Sequence, residues 1–274
     1  MNKQGLKEEK IIEVIRGLEK IKNKTPLVYH LTNTVTINDC ANITLGIGAS
    51  PLMSFCIDEI EEIIGFSSSV VLNIGTMDKS MRDMAIEVGR IANRLKKPIV
   101  LDPVGVGATK ARRELVENLL KEVEFTVIKG NMAEIKCLLG MDVRSRGVDS
   151  LENEESGEKI VVLAAKKLST TIAITGKIDY ISNGENVVKV MNGSSSMGLV
   201  TGTGCMISSL IGSFLGADNN SFISALGGVL CMGIAGELAS KNYRGTGELK
   251  VSIINNISNM NQDMLEIESK IATN

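Results

Sequence analysis

A glycine-rich turn followed by an apolar segment is the part of the chain best suited to chemistry. Residues 200–205 read VTGTGC and run into a segment with helical spacing. Glycine allows a positive φ and the close approach of an anion, and a helix N-terminus offers free N–H groups and a positive dipole end. Cys205 would lie in the first turn, where a thiolate is favoured. The pattern predicts an anion hole at Gly202, Thr203, Gly204 and Cys205, typical of phosphoryl transfer; the structural alternative is a tight turn with an inert cysteine.

Two further turns carry charged side chains directly after apolar, strand-like runs. Asp102 precedes a proline, and a carboxylate at this point can hold Mg²⁺ directly or through water, as phosphoryl transfer requires. Lys129 can pair with nucleotide phosphates, and Glu134 can take part in metal binding. The structural alternatives are an Asp-Pro turn and a capping box in which Asn131 caps a helix and Glu134 completes it. A capping box would also fix Glu134 in place.

The predicted first strand ends in the sequence HLTN at residues 30–33. His30 is the only histidine, and a single histidine at a strand end is more often structural than catalytic. Asn33 carries a donor and an acceptor in one side chain, which suits contact with a substrate heterocycle.

Composition excludes several classes of function. The 274 residues are 43% hydrophobic and carry a net charge of -2 with 3% aromatics, which argues against binding to nucleic acid or to an anionic membrane. Five scattered cysteines without a C-x-x-C pair favour a reducing, cytoplasmic location over a disulfide framework or a zinc site. The uncharged stretches 190–217 and 219–236 are rich in small polar residues and predict buried helices rather than a membrane span.

Apolar runs alternate with helical patterns, which predicts an α/β fold with a mostly parallel sheet in a single domain spanning residues 1–274. The predicted strands are 27–31, 70–74, 99–101, 126–128 and 171–175, and the helices between them are 37–45, 79–95, 110–121 and 133–139. Further predictions are a hairpin off the sheet at 180–191, three C-terminal helices at 205–215, 221–240 and 247–260, and a surface connection at 144–159. Ligands of parallel sheets bind at the carboxyl ends of the strands, where the turns above lie.

Taken in order, these segments resemble the hydroxyethylthiazole kinase family of the ribokinase-like superfamily. The resemblance runs from about Thr25 to about Asn259. It rests on residues 30–33 (HLTN), 45–53 (LGIGASPLM), 102–105 (DPVG), 130–135 (GNMAEI), 175–176 (TG) and 200–205 (VTGTGC). Each motif alone is weak, whereas their common order and spacing are specific.

The resemblance implies a three-layer α/β sandwich and ATP-dependent phosphorylation of the hydroxyl of 4-methyl-5-(2-hydroxyethyl)thiazole in thiamine salvage. It also implies a homotrimer with substrate sites at subunit boundaries, near the 33–35 and Met53 segments. By this resemblance, Met53 and Gly202 would contact the thiazole, with Asn33 nearby. Lys129 and Thr175 would contact ATP, and Asp102 and Glu134 would bind Mg²⁺. Cys205 would be the catalytic base, at the position where most of the superfamily has aspartate.

One departure from the family pattern and two alternatives remain. Many family members have arginine at the position of Lys129, and lysine keeps the charge but loses bidentate phosphate recognition. One alternative is another enzyme of the superfamily, such as a hydroxymethylpyrimidine or sugar kinase or an ATP-dependent dehydratase, against which Cys205 itself argues. The other is a nucleotide-binding sensor without activity, which the joint presence of Asp102, Glu134 and Cys205 disfavours.

Overall fold

The computed structural model describes residues 3–141 and 154–273. The strands are β1 (Leu27–Leu31), β2 (Ser50–Met53), β3 (Ser69–Asn73), β4 (Ile99–Asp102), β5 (Val127–Asn131), β6 (Thr171–Thr175), β7 (Asp179–Ser182), β8 (Val187–Val190) and β9 (Ile271–Thr273). The helices are α1 (Lys3–Lys24), α2 (Ile37–Ile47), α3 (Ile60–Phe66), α4 (Lys79–Arg94), α5 (Lys110–Glu122), α6 (Met132–Leu138), α7 (Glu154–Leu168), α8 (Thr203–Gly216), α9 (Ser221–Ala239), α10 (Thr246–Ser258) and α11 (Gln262–Glu268).

These nine strands form one sheet in the order β2-β1-β3-β4-β5-β6-β7-β8-β9. Strands β1 to β6 are parallel, and the last three are antiparallel. The central strands are buried on both faces, as an all-parallel region requires. Along β3, Val70 and Leu72 face one apolar core while Val71 faces the other, since successive side chains alternate.

Helices cover both faces of the sheet. The core on one face includes residues of α1, α2, α8, α9 and α10, and the core on the other includes residues of α3 to α7. The predicted α/β class and three-layer arrangement are therefore confirmed, and each of the five predicted parallel strands is present within a few residues of its expected ends.

The predicted hairpin exists but does not stand off the sheet. Strands β7 and β8 pair with each other, and β7 also pairs antiparallel with β6 from Ile172 to Ile174. The main chain turns back after Thr175, where the N–H of Gly176 donates to Asp179 Oδ1 at 2.8 Å. Because the chain turns back so tightly, β7 lies alongside β6, and the hairpin extends the sheet.

Several elements are absent from the sequence prediction. Helix α1 has apolar residues at helical spacing, from Ile11 and Val14 to Leu18 and Ile21, which pack into the core. Helix α7 begins at Glu154, so the expected surface connection is wrong from that residue on; the earlier part, 144–153, lies outside the described residues. Strand β2 is short, and its Pro51 is tolerated because β2 is an edge strand.

Among the described residues, α9 is the one helix long and apolar enough to cross a membrane. Of its apolar window, 89% is buried inside the protein. Its glycines allow close packing: a Cβ at Gly228 would lie 2.6 Å from Ile211 of α8. Helix α9 is therefore the central core helix on its face of the sheet, as the small residues of 219–236 predict.

Candidate active site

The N-terminus of α8 lies beside the carboxyl ends of the parallel strands. Helix α8 packs against β1, β3 and β4, which the apolar character of its buried segment explains. Gly202 precedes the helix with φ of 92°, a left-handed conformation that favours glycine. A Cβ at this position would also lie 2.6 Å from Thr36 Cγ2. The first N–H groups of the helix, at Thr203, Gly204 and Cys205, have no acceptor within the helix.

A cavity of about 760 Å³ opens next to this helix N-terminus. Thr203 and Gly204 form one side of it, and Thr175 and Gly176 at the end of β6 form another. Apolar side chains of α9, including Val229 and Met232, line its inner part. A cavity with backbone N–H groups at one end and apolar walls at the other suits a nucleotide.

A continuous set of hydrogen bonds links Cys205 to Asp102. Asn33 Nδ2 donates to Cys205 Sγ at 3.3 Å and to Asn73 Oδ1 at 2.9 Å. Asn73 Nδ2 donates to Asp102 Oδ2 at 2.9 Å, and Ser208 Oγ donates to the same oxygen at 2.7 Å. Asp102 is fully buried. The structure thus connects three residues that the sequence predicts to be functional, Asn33, Asp102 and Cys205. The connection passes through Asn73, which the sequence analysis does not predict.

Lys129 forms a buried ion pair with Asp102. Its Nζ lies 3.2 Å from each carboxylate oxygen, and the lysine is only 4% exposed. Burial alone lowers the pKa of Lys129, but the charges of Asp102, Cys205 and Glu134 outweigh it and hold the pKa above its ordinary value. A Cβ at Gly204 would lie 3.3 Å from Lys129 Nζ. The ammonium group is therefore charged and lies next to Gly204, at the N-terminus of α8.

Glu134 forms the capping box that the sequence predicts, while its metal role stays a prediction. Asn131 Oδ1 accepts from the backbone N–H of Glu134, and Glu134 Oε2 accepts from the backbone N–H of Asn131, which completes a capping box at the start of α6. The other carboxylate oxygen, Oε1, accepts a hydrogen bond of 2.9 Å from the N–H of Gly105, in the turn after β4. Glu134 is thereby held between the turns that follow β4 and β5.

The carboxylates fit a magnesium ion that is shared with a phosphate ligand. Among residues 3–141 and 154–273, no group of three histidine, cysteine, aspartate or glutamate side chains could hold a metal ion alone. Asp102 is enclosed by Lys129, Asn73 and Ser208, so a direct metal bond would displace one of them. Glu134 is partly exposed. Mg²⁺ usually keeps several waters and binds through one or two carboxylates and substrate phosphates, which this set can provide.

Two other predicted residues lie outside the hydrogen-bond network. Met53 ends the edge strand β2, where it is in register with His30 of β1. His30 is fully buried, with Nδ1 3.0 Å from the carbonyl oxygen of Val28 and Nε2 3.1 Å from Ser209 Oγ. Burial lowers the pKa of His30 to about 4, so the ring is neutral at pH 7. This environment agrees with the structural role predicted for the histidine.

The sequence prediction did not include Asn73, Ser208 and Asp179. Asn73 is the polar residue that ends the buried run of β3, the same signal that identified Asp102 on β4. Ser208 is one turn along α8 from Cys205. Asp179 lines the large cavity, and its burial raises its pKa to about 7. A search for polar residues at every strand end would have found Asn73.

Comparisons with known proteins agree with this geometry. The sequence model of the hydroxyethylthiazole kinase family matches residues 18–263. A hydroxyethylthiazole kinase of Clostridioides difficile is 48% identical over 254 residues, which cover 93% of this chain and 97% of that protein. The solved structure of the Pyrococcus horikoshii hydroxyethylthiazole kinase superposes with a TM-score of 0.88 at 36% identity, covering 95% of this chain and 98% of that one. A ribokinase-like superfamily protein of Enterococcus faecalis shares the fold, with a TM-score of 0.63 at 13% identity and coverage of 88% and 89%.

Proposed function

Because the chain belongs to the hydroxyethylthiazole kinase family, we propose that it transfers the γ-phosphoryl group of ATP to the hydroxyl of 4-methyl-5-(2-hydroxyethyl)thiazole. The observation that carries the proposal is the position of Cys205. Its thiol lies in the first turn of α8, accepts a hydrogen bond from Asn33 and stands next to the backbone N–H groups that border the large cavity. An acceptor hydroxyl at this thiol would be adjacent to a phosphate bound at the helix N-terminus.

In this reaction Cys205 orients the substrate hydroxyl and accepts its proton. Phosphoryl transfer has a loose transition state, so the hydroxyl becomes acidic late and a strong base is not needed. The hydrogen bond from Asn33 and the helix N-terminus both stabilise negative charge on the sulfur. No covalent bond to Cys205 is required, because the hydroxyl oxygen itself attacks the phosphorus.

The anion hole and two nearby side chains would hold the phosphates of ATP. The N–H groups at Thr203, Gly204 and Cys205 supply fixed donors at no reorganisation cost. Thr175 borders the cavity directly, whereas Lys129 supplies its positive charge from beneath Gly204. Since Lys129 is already paired with Asp102, its contribution to phosphate binding is that of a fixed charge rather than of a flexible clamp.

Magnesium would be bound with ATP, next to Glu134 and Asp102. When bound, it neutralises charge on the phosphate oxygens during transfer. We propose that Glu134 binds the ion through water, because this side chain is partly exposed. Asp102, which is paired with Lys129, would act on the ion only through its charge. Glu134→Gln is expected to raise the Mg²⁺ concentration needed for half-maximal rate, and an unchanged requirement would contradict the assignment.

The thiazole would bind between subunits of a homotrimer, with Gly202, Asn33 and Met53 near the ring. Large apolar side chains are exposed beside these residues: Val35 is 65% exposed, Phe55 45% and Ile57 49%. Contact with a neighbouring chain would cover this surface and enclose the substrate. We further propose that residues 1–274 form one kinase domain and that the enzyme is cytoplasmic, in agreement with the burial of α9.

The release of ADP with and without the thiazole alcohol tests the proposed function. We expect ADP release that depends on both the alcohol and Mg²⁺. Release that is equally fast without the alcohol would identify an ATPase, and release only with a hydroxymethylpyrimidine or a sugar would identify another kinase of the superfamily. ATP binding without any release would identify a sensor.

A further inference from the structure

The geometry points to Asn73 as a positioning residue that couples the Cys205 thiol to Asp102 through the amide of Asn33. This inference rests on the proposed role of Cys205 and adds a residue that does not touch the substrate. Asn73 is buried at the end of β3, between the strands that carry Asn33 and Asp102.

Hydrogen-bond chemistry fixes the direction of the Asn33 amide. Its Oδ1 accepts from the backbone N–H of Thr36 at 3.1 Å and from the hydroxyl of Thr36 at 3.0 Å. A backbone N–H can only donate, so this end of the amide must be the oxygen. The NH₂ group therefore faces Asn73 and Cys205, and each of its two hydrogens has one acceptor.

Hydrogen bonds also fix the orientation of the Asn73 amide. Its Oδ1 accepts from the backbone N–H of Gly75 at 2.9 Å, which identifies this end as the oxygen. The NH₂ group must then face Asp102, whose carboxylate is an obligatory acceptor when ionised, as its pairing with the charged Lys129 requires. Asn33 and Asn73 are thus locked in one direction, and Asn33 always presents a donor to the sulfur.

Ser208 offers a matched comparison. Its hydroxyl donates to Asp102 Oδ2, the oxygen that also accepts from Asn73, and both residues are buried. Only Asn73 continues the set of hydrogen bonds to Asn33 and Cys205. Removal of either side chain takes one hydrogen bond from Asp102, but only removal of Asn73 also takes an acceptor from the NH₂ group of Asn33, whose oxygen Thr36 continues to hold.

The test measures alkylation of Cys205 by iodoacetamide, without substrates, in wild type, Asn73→Ala and Ser208→Ala. Peptide mass spectrometry follows Cys205, with the partly exposed Cys137 of α6 as an internal reference. Because the Asn33 donor is held less firmly without Asn73, Cys205 alkylation relative to Cys137 should slow by about 3- to 10-fold in Asn73→Ala, the usual worth of one hydrogen bond. Ser208→Ala should alkylate as wild type does. Equal rates in the two variants, or a rate in Asn73→Ala as fast as wild type or faster, would overturn the inference.

A second variant keeps every side chain of the network but shifts one of them. A methyl group at Gly75 would lie 2.8 Å from Asn33 Nδ2 and 2.9 Å from Asn33 Cγ, so Gly75→Ala must displace the Asn33 amide. It should also slow Cys205 alkylation, and an unchanged rate would overturn the inference even if Asn73→Ala does not fold. In active variants kcat should fall while the KM for ATP stays close to the wild-type value. Because alkylation needs no substrate, failure of the kinase assay alone would refute the proposed function and leave this coupling standing.

Discussion

Cys205 combines two features that are individually common, a place in the first helical turn and a hydrogen bond from a side-chain amide. The sulfur is partly exposed, whereas Cys40 and Cys231 are buried and burial raises the pKa of Cys40 to about 11. Buried thiols of this kind are poor proton acceptors. Of these three cysteines, Cys205 is the one whose surroundings suit acid-base chemistry.

Replacement of Cys205 tests its role as the proton acceptor. Cys205→Ala should lower kcat by about 10²- to 10⁴-fold, the usual contribution of a general base. ATP affinity, measured by calorimetry, should change little because the anion hole consists of backbone N–H groups. Cys205→Asp should keep substantial activity, since a carboxylate can accept the same proton. An inactive but folded Cys205→Asp variant, or a phosphorylated Cys205, would show that the role is wrong.

His30 predicts a pH dependence of stability. Burial lowers its folded-state pKa to about 4, below the ordinary value of 6.5, so the unfolded chain binds the proton more readily. The contribution of the neutral ring to stability is complete above pH 6.5 and is lost as the pH falls toward 4. The free energy of unfolding of wild type should therefore decrease over this window, by at most roughly 1.4 kcal/mol per pH unit from this group. In urea titrations at several pH values, the free energy of unfolding of His30→Gln should change less with pH than that of wild type. An equal change in both proteins would contradict the explanation.

At the scale of the element, α8 has two tasks. Its buried face packs on the sheet, and its N-terminus carries the backbone N–H groups of the proposed anion hole. Gly202 makes this possible, because a left-handed residue lets the chain enter the helix next to Thr36 without a steric clash. The geometry of the site therefore depends on one backbone conformation.

Gly202→Ala should disturb both the packing of α8 on the sheet and the conformation of its N-terminus. Its methyl group would lie 2.6 Å from Thr36 Cγ2, and its φ of 92° strains any residue with a Cβ. We expect a lower melting temperature and a loss of ATP binding. Gly65→Ala is the matched control, because a Cβ at Gly65, in helix α3, meets no atom within 4 Å. If the two variants had the same melting temperature and ATP affinity, the conformation at Gly202 would not be essential.

The elements also show how far sequence reasoning reaches. Parallel strands such as β1 and β6 are predictable because their apolar runs end in turn residues, and the Gly-rich turn marks the start of α8. Strand β2 is not predictable in this way, because its four residues are only half-buried and include a proline. The link through Asn73 depends on three strands meeting side by side, which local pattern does not encode. Similarly, the sequence places Asp102 at a strand end but cannot show that Lys129 is paired with it.

For the whole molecule, the exposed apolar side chains near the site predict assembly. Light scattering of wild type should give three times the 29.4 kDa chain mass. A double variant, Val35→Glu with Ile57→Glu, places charge on the proposed contact surface and should yield single chains with a raised KM for the thiazole alcohol. Wild type that is monomeric and fully active would refute the trimer. A matched double variant on another surface, Ile12→Glu with Leu163→Glu, should remain trimeric.

The identity of the product tests the central claim most directly. Purified protein is incubated with ATP, Mg²⁺ and 4-methyl-5-(2-hydroxyethyl)thiazole, and the reaction is followed by phosphorus NMR with proton coupling. We expect a phosphate monoester signal that is split by the two protons of the adjacent CH₂ group, forms in step with ADP and forms much more slowly in Cys205→Ala. Inorganic phosphate as the only product, or ester formed at the wild-type rate in Cys205→Ala, would contradict it.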